Sequence, residues 1–372
     1  MWLTRPFEIY SSAKQTATNQ KFPLSSKGVT GIAMKKVCFL ETRVEMSRLG
    51  FGCVQLTLHP SRKDALAVLE HAFSSGITHY DVARTYGFGR TEGILRDFLR
   101  QKRDAVTLTT KFGIEPPSGL AGNVHLINGL KKVLGPFPGL LRKAKNRGSA
   151  MVKTGAFTPE AAIRSLETSL RELGTDYVDF FLLHEGTIAD ASSERLVEAL
   201  LRQVERGKIR HVGVGSAFRK LQGDADLLPA MYEVLQFNDN AIDRSVRKLS
   251  HRDRRFVITH SIFVPLETLR QGVNEHPQIA REHSLRMNID LTEPSAISSL
   301  LLQFALWSNA NGIVLFSSTD SRHIDANVLQ TDSDPYDDLA IQRFVVFVDQ
   351  LLAVMVPSSR FTERTSTVSG PA

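Results

Sequence analysis

Residues 76–92 read GITHYDVARTYGFGRTE. An apolar, β-branched run (Ile77, Thr78, Tyr80) climbs to the acid Asp81, and Tyr86 follows five residues later on a loop. Gly87 and Gly89 loosen the backbone before Thr91 and Glu92 open a helical pattern. A strand thus ends on a carboxylate with a phenol hanging just beyond it. α/β barrels and open α/β sheets keep their chemistry at that place, the carboxyl ends of parallel strands.

Outward from this stretch the chain alternates regularly. Strand-like runs are Arg48–Leu56, Ile77–Asp81, Ala105–Lys111, Tyr177–His184, Ile209–Gly215, Glu233–Gln236, Phe256–His260 and Gly312–Phe316. Helical spacings of three and four fall at Asp64–Ser74, Thr91–Gln101, Pro159–Leu173, Glu194–Arg206, Ser245–Arg252 and Ser295–Ser308. Thr158-Pro159-Glu160 is a helix start with Thr as N-cap, and Gly174 and Gly207 stand at C-cap positions. Eight strands alternating with helices predict an α/β fold, a single (β/α)8 TIM barrel over residues 34–358. Lys36–Met46 reads as an N-terminal β-hairpin ahead of it.

Two stretches depart from the alternation, the basic 116–153 insert and the 262–294 region between the seventh strand and its helix, and both ends of the chain differ from the rest. Residues 1–33 are rich in Ser, Thr and Lys with one acid, Glu8, and read as a disordered extension, a targeting segment or a stretch before the true start at Met34. Residues 359–372 read as a disordered polar tail. The 116–153 insert after the third strand carries Lys131, Lys132, Arg142, Lys143, Lys145, Arg147 and Lys153 and no acid. Those seven cations equal the +7 net charge of the chain, so the remainder is near neutral. With Phe137 as its one aromatic, the insert does not resemble a nucleic-acid element. Its apolar spacing suits an amphipathic helix pair, read either as a solvated surface excursion or as a cationic lid over the pocket.

The chain of 372 residues is 42% hydrophobic and 23% charged, as a soluble globular protein is. Two unclustered cysteines, Cys38 and Cys53, predict neither disulfide scaffold nor metal site and fit a reducing, cytoplasmic setting. No apolar run approaches the ~20 residues of a membrane span.

Three strand runs end on ionisable groups: Asp81, Lys111 and His184. In a barrel those ends are neighbours on one rim, and Tyr86 hangs from the loop leaving the first. A free phenol titrates near ~10 and a nearby ammonium lowers that value. Asp81 would hold Lys111, Lys111 would tune Tyr86 to give a proton to a carbonyl oxygen, and a neutral His184 would orient that oxygen. This is apparatus for carbonyl reduction with a hydride donor.

At this point the chain resembles the aldo-keto reductases, from about Lys36 to Leu329. GITHYDVARTYGFGRTE resembles that family's strand–loop–helix signature, TLTTKFG (107–113) its lysine strand and DYVDFFLLHE (176–185) its histidine strand. KIRHVGVGSAF (208–218), EVLQFN (233–238) and SSTDSRHIDANV (317–328) are similar to its cofactor segments. The resemblance implies Asp81, Tyr86, Lys111 and His184 as a catalytic tetrad and a nicotinamide cofactor, NADP or else NAD, lying across the rim. It implies Ser216 and Gln236 on the carboxamide, His260 against the ring, Ser317, Ser318 and Arg322 near the phosphate, and Asn327 near the adenine. The substrate would be a small carbonyl compound or sugar, taken by a monomer or small homo-oligomer.

Rival readings are weaker. Gly213-Val214-Gly215 follows a strand as in a dinucleotide fingerprint, but Phe218 replaces its third glycine. A barrel metal hydrolase lacks its His-x-His or paired carboxylates. A regulatory protein that keeps the cofactor but turns over little is the alternative on the same barrel.

Overall fold

The computed structural model describes residues 34–40, 44–116, 157–221, 225–249, 255–333 and 335–355. The 1–33 extension, all of the basic insert except Pro116, and the 359–372 tail lie outside those residues, as do both readings of the insert.

Lys36–Cys38 (β1) and Glu45–Ser47 (β2) pair antiparallel as the expected hairpin. The eight strands that follow are Leu49–Gly52 (β3), His79–Asp81 (β4), Thr107–Phe112 (β5), Val178–His184 (β6), Ile209–Gly215 (β7), Tyr232–Asn238 (β8), Phe256–His260 (β9) and Ile313–Phe316 (β10). All pair in parallel and close as β10-β3-β4-β5-β6-β7-β8-β9. This is the expected (β/α)8 barrel.

Alternation along each strand sorts side chains between two apolar regions. Phe180, Leu182, Val234, Phe256, Ile258, Ile313 and Leu315 fill the barrel interior, and Phe181, Leu183, Leu235 and Phe237 pack outward under the helices. The hairpin closes the lower end: the Phe39 ring lies 5.3 Å from Phe180 and 5.1 Å from Phe256. Gly213 is required where it stands, because a Cβ there would come within 2.4 Å of the Val234 carbonyl.

Helix ends follow local chemistry. Thr158 caps Pro159–Leu173 by accepting from the Ala161 amide, and Gly174 ends it in the left-handed region at φ 66°. The expected first strand, Arg48–Leu56, stops at Gly52, and Cys53–Leu58 coils into a 3-10 helix. Its neighbours end beside it, Gly52 opposite Asp81 and Phe51 opposite Phe316, so no ladder partner remains.

The expected helix Ser245–Arg252 is corrected to one 3-10 turn, Val246–Lys248, because Leu249 is already extended; residues 250–254 lie outside the described ones. The 262–294 region holds two helices, Leu266–Glu275 and Pro277–Met287. Pro277 drives His276 off helical geometry between them. Two further helices, Ser321–Ser333 and Asp338–Met355, follow β10. No described helix is long and apolar enough to cross a membrane.

Candidate active site

Inward parity carries one residue from each of several strands to the upper rim. His79 on β4 faces the interior beside Phe180, so Asp81, two residues on, faces the mouth above it. The same count from Thr109 gives Lys111, from Leu182 gives His184, from Val234 gives Gln236 and from Ile258 gives His260.

The four residues of the expected tetrad converge. The Lys111 Nζ donates to Asp81 Oδ1 at 2.6 Å, to the Tyr86 hydroxyl at 3.3 Å and to the Val82 carbonyl at 3.3 Å. It also stands 5.0 Å over the Tyr86 ring. Tyr86 and His184 meet edge to face with centroids 6.1 Å apart. Asp81 is held on its other oxygen by Gln236, whose Nε2 donates to Oδ2 at 2.7 Å.

Burial sets the protonation states. It pulls the Lys111 ammonium down, but Asp81 and Tyr86 outweigh it and hold the group above its ordinary range. It pushes the Tyr86 phenol up, and Lys111 offsets only part of that rise. This corrects the expectation of a phenol tuned downward: water removed from the phenolate costs more than one shared ammonium returns. Burial, with Lys111 beside it, drives His184 down to about 3, and burial drives His260 down to about 4. Both imidazoles are neutral. The His184 Nδ1 is buried with no hydrogen-bond partner among the described residues.

Two features beyond the expected residues support the cluster. Arg84 and Glu92, both buried, form an ion pair inside the opening stretch, and Glu92 also accepts from Thr110 Oγ1 on β5 at 2.8 Å. This network ties the Tyr86 loop to the barrel; its signal in the sequence is a base and an acid flanking the loop. Lys220 donates to the Glu185 carbonyl at 2.7 Å and pairs with its carboxylate at 2.9 Å. Glu185 follows His184 at φ 61°, a strained conformation for a non-glycine residue that this clamp secures.

Most of the expected cofactor residues are engaged within the protein. Ser216 Oγ donates to the Gly186 carbonyl at 2.6 Å, and Ser317 Oγ donates to the Gly52 carbonyl at 2.7 Å. His260 Nδ1 lies 2.8 Å from Ser261 Oγ. Ser318 caps its own turn through Asp320, and exposed Arg322 pairs with the Asp320 carboxylate at 2.6 Å. Asn327 lies half-buried on Ser321–Ser333. An amide, a neutral imidazole and small hydroxyls form a donor set that suits a nicotinamide at the Gln236–His260 side. No group of metal ligands occurs among the described residues.

Fold and cluster together define a (β/α)8 barrel whose polar groups gather at its carboxyl rim. The Aldo/keto reductase family model matches residues 48–223. The chain is 30% identical over 178 residues to "Probable aldo-keto reductase 1" of Glycine max, covering 46% of this chain and 42% of that protein. It is 27% identical over 255 residues to the "NADH-specific methylglyoxal reductase" of Escherichia coli (strain K12), covering 63% and 68% respectively. The chain spans less than half the length of the first curated relatives it matches. In fold it is similar to the holo form of an aldo-keto reductase from Bacillus halodurans, with TM-score 0.64, 19% identity and coverage of 84% and 96%. An aldo-keto reductase from Klebsiella pneumoniae in complex with NADPH superposes with TM-score 0.57, 20% identity and coverage of 85% and 96%. The family model and these relatives make the chain similar to aldo-keto reductases over about half its length, and the solved structures share its barrel fold.

Proposed function

We propose that the protein reduces the carbonyl group of a small aldehyde or ketone with a nicotinamide cofactor. The observation that carries this reading is the Tyr86 phenol, 3.3 Å from an ammonium that Asp81 fixes at 2.6 Å. The cofactor would be held by Gln236, Ser216 and His260 at its nicotinamide and by Ser317, Ser318, Arg322 and Asn327 toward its phosphate and adenine. NADP is the favoured form, with NAD admitted because Asp320 already occupies Arg322. When bound, the nicotinamide supplies the hydride.

The chain's own groups handle the proton and the developing charge. Tyr86 keeps its proton at neutral pH because burial opposes the phenolate, so it is loaded to donate to the carbonyl oxygen. Once donation begins, Lys111 faces the charge left on the phenolic oxygen. His184, neutral, donates a hydrogen bond to the same carbonyl oxygen without competing as an acid. The same groups serve alcohol or sugar oxidation, because proton and hydride transfer are reversible.

The test is steady-state turnover with NADPH and with NADH over a panel of aldehydes and ketones. Sustained cofactor oxidation dependent on Tyr86 supports the reading. Tight cofactor binding with no turnover on any carbonyl would replace it with the regulatory alternative.

A further inference from the structure

The Gln236 side chain crosses the barrel. Its Nε2 reaches Asp81 Oδ2 at 2.7 Å, although β8 and β4 stand four strands apart in the closed sheet. Both residues are buried, Gln236 at 2% exposure and Asp81 at 3%. Lys111 holds the opposite carboxylate oxygen at 2.6 Å. A buried carboxylate with one oxygen unpaired is costly, and two donors on opposite oxygens leave it a single orientation. Gly215 gives the amide its room. It pairs with Gln236 in register, and a Cβ at Gly215 would come within 3.1 Å of Gln236 Oε1.

We propose that Gln236 is a positioning residue for the Tyr86 proton, acting through Asp81 and Lys111. Its amide takes up the charge on Oδ2, so Asp81 draws on Lys111 through Oδ1 alone. Lys111 then stays within 3.3 Å of the Tyr86 hydroxyl instead of being pulled wholly onto the carboxylate. Without that amide the carboxylate turns its full charge on the ammonium, and the phenol faces more negative charge with less positive charge beside it. Such a phenol ionises less readily. The role is separate from any contact Gln236 makes with cofactor, and it rests on the reading of Tyr86 as proton donor.

Two variants of the full chain test this: Gln236→Met, and Gln236→Asn, which keeps an amide but shortens its reach. Tyr86 ionisation is followed in the cofactor-free protein by the ¹³Cζ resonance that vanishes in Tyr86→Phe. The midpoint moves to higher pH by roughly half a pH unit or more in each folded variant. The kcat at saturating cofactor falls about tenfold, with its alkaline limb moved the same way. An unmoved midpoint in either folded variant overturns the proposal, and weakened cofactor affinity alone would then mark Gln236 as a cofactor ligand only. A moved midpoint in a protein without carbonyl turnover upholds the positioning role and overturns the reduction reading instead.

Discussion

The Lys111 nitrogen on β5 lies 2.6 Å from the Asp81 carboxylate on β4, and both side chains are almost wholly buried. Two charges taken from water hold together there only because each is the other's partner. The arrangement places a cation beside a phenol at a depth where a lone lysine would lose its proton.

Tyr86→Phe removes the hydroxyl that Lys111 meets and leaves the ring against His184. Turnover of an aldehyde should fall by roughly 10²–10⁴-fold. Cofactor affinity, read by quenching of protein fluorescence, should stay near that of the parent. Turnover within about threefold of the parent would remove Tyr86 from the role of acid.

Lys111→Met leaves the Asp81 charge buried beside the Gln236 amide alone. Breaking a buried pair in this way costs about 3–5 kcal/mol. Chemical denaturation at pH 7.5 measures it. The paired variant Lys111→Met with Asp81→Leu should recover most of the stability and none of the activity, and equal stabilities of single and double variants would contradict the pairing argument.

Burial drives His79, locked between Thr107 and Thr109, down to about 4. Its unfolded counterpart titrates near 6.5. The folded value is the lower one, so the unfolded chain binds the extra proton as pH falls. His79 thus stabilises the fold fully above about pH 6.5, and that contribution is lost on going down toward pH 4. The loss per pH unit in this window is up to about 1.4 kcal/mol for this one histidine. In His79→Gln, the pH slope of unfolding free energy between 6.5 and 4 should be smaller by that amount. Superimposable slopes would show that the group is not held neutral.

Arg322 lies exposed and already engaged by Asp320. Its replacement by Ala should lower affinity for NADPH relative to NADH, by less than about tenfold because an exposed pair is worth little. Fluorescence titration of both cofactors decides it, and unchanged ratios would place Arg322 away from the phosphate.

Much of the barrel and its rim could be read from residue order alone. Period-two alternation depends only on local backbone geometry, so VDFFLLH on β6 announces both its strand and the face that His184 takes. β7 and β9 fall at the expected residues for the same reason, and Pro159–Leu173 follows from a Thr cap, a Pro and a terminal Gly close in sequence. The length of β3 was hidden because a strand ends where its neighbours end, and those neighbours are remote in the chain. The two helices after β10 also went unread. Their buried residues do fall at helical spacing, Ile324, Val328 and Thr331 in one and Ile341, Phe344, Val348 and Leu351 in the other, and the latter helix packs against Pro277–Met287, far back in sequence.

Asp81, Tyr86, Lys111 and His184 were visible as strand-end and loop residues, since strand number and parity place them on one rim. The direction in which Tyr86 is shifted was not visible, because it is the balance of burial against one ammonium, and burial is a property of everything packed around the ring. The reach of Gln236 across to Asp81, 155 residues away, likewise exists only once the sheet has closed. Chemistry of individual residues is written in the chain; the dielectric around them and the partners they meet are set by closure of the barrel.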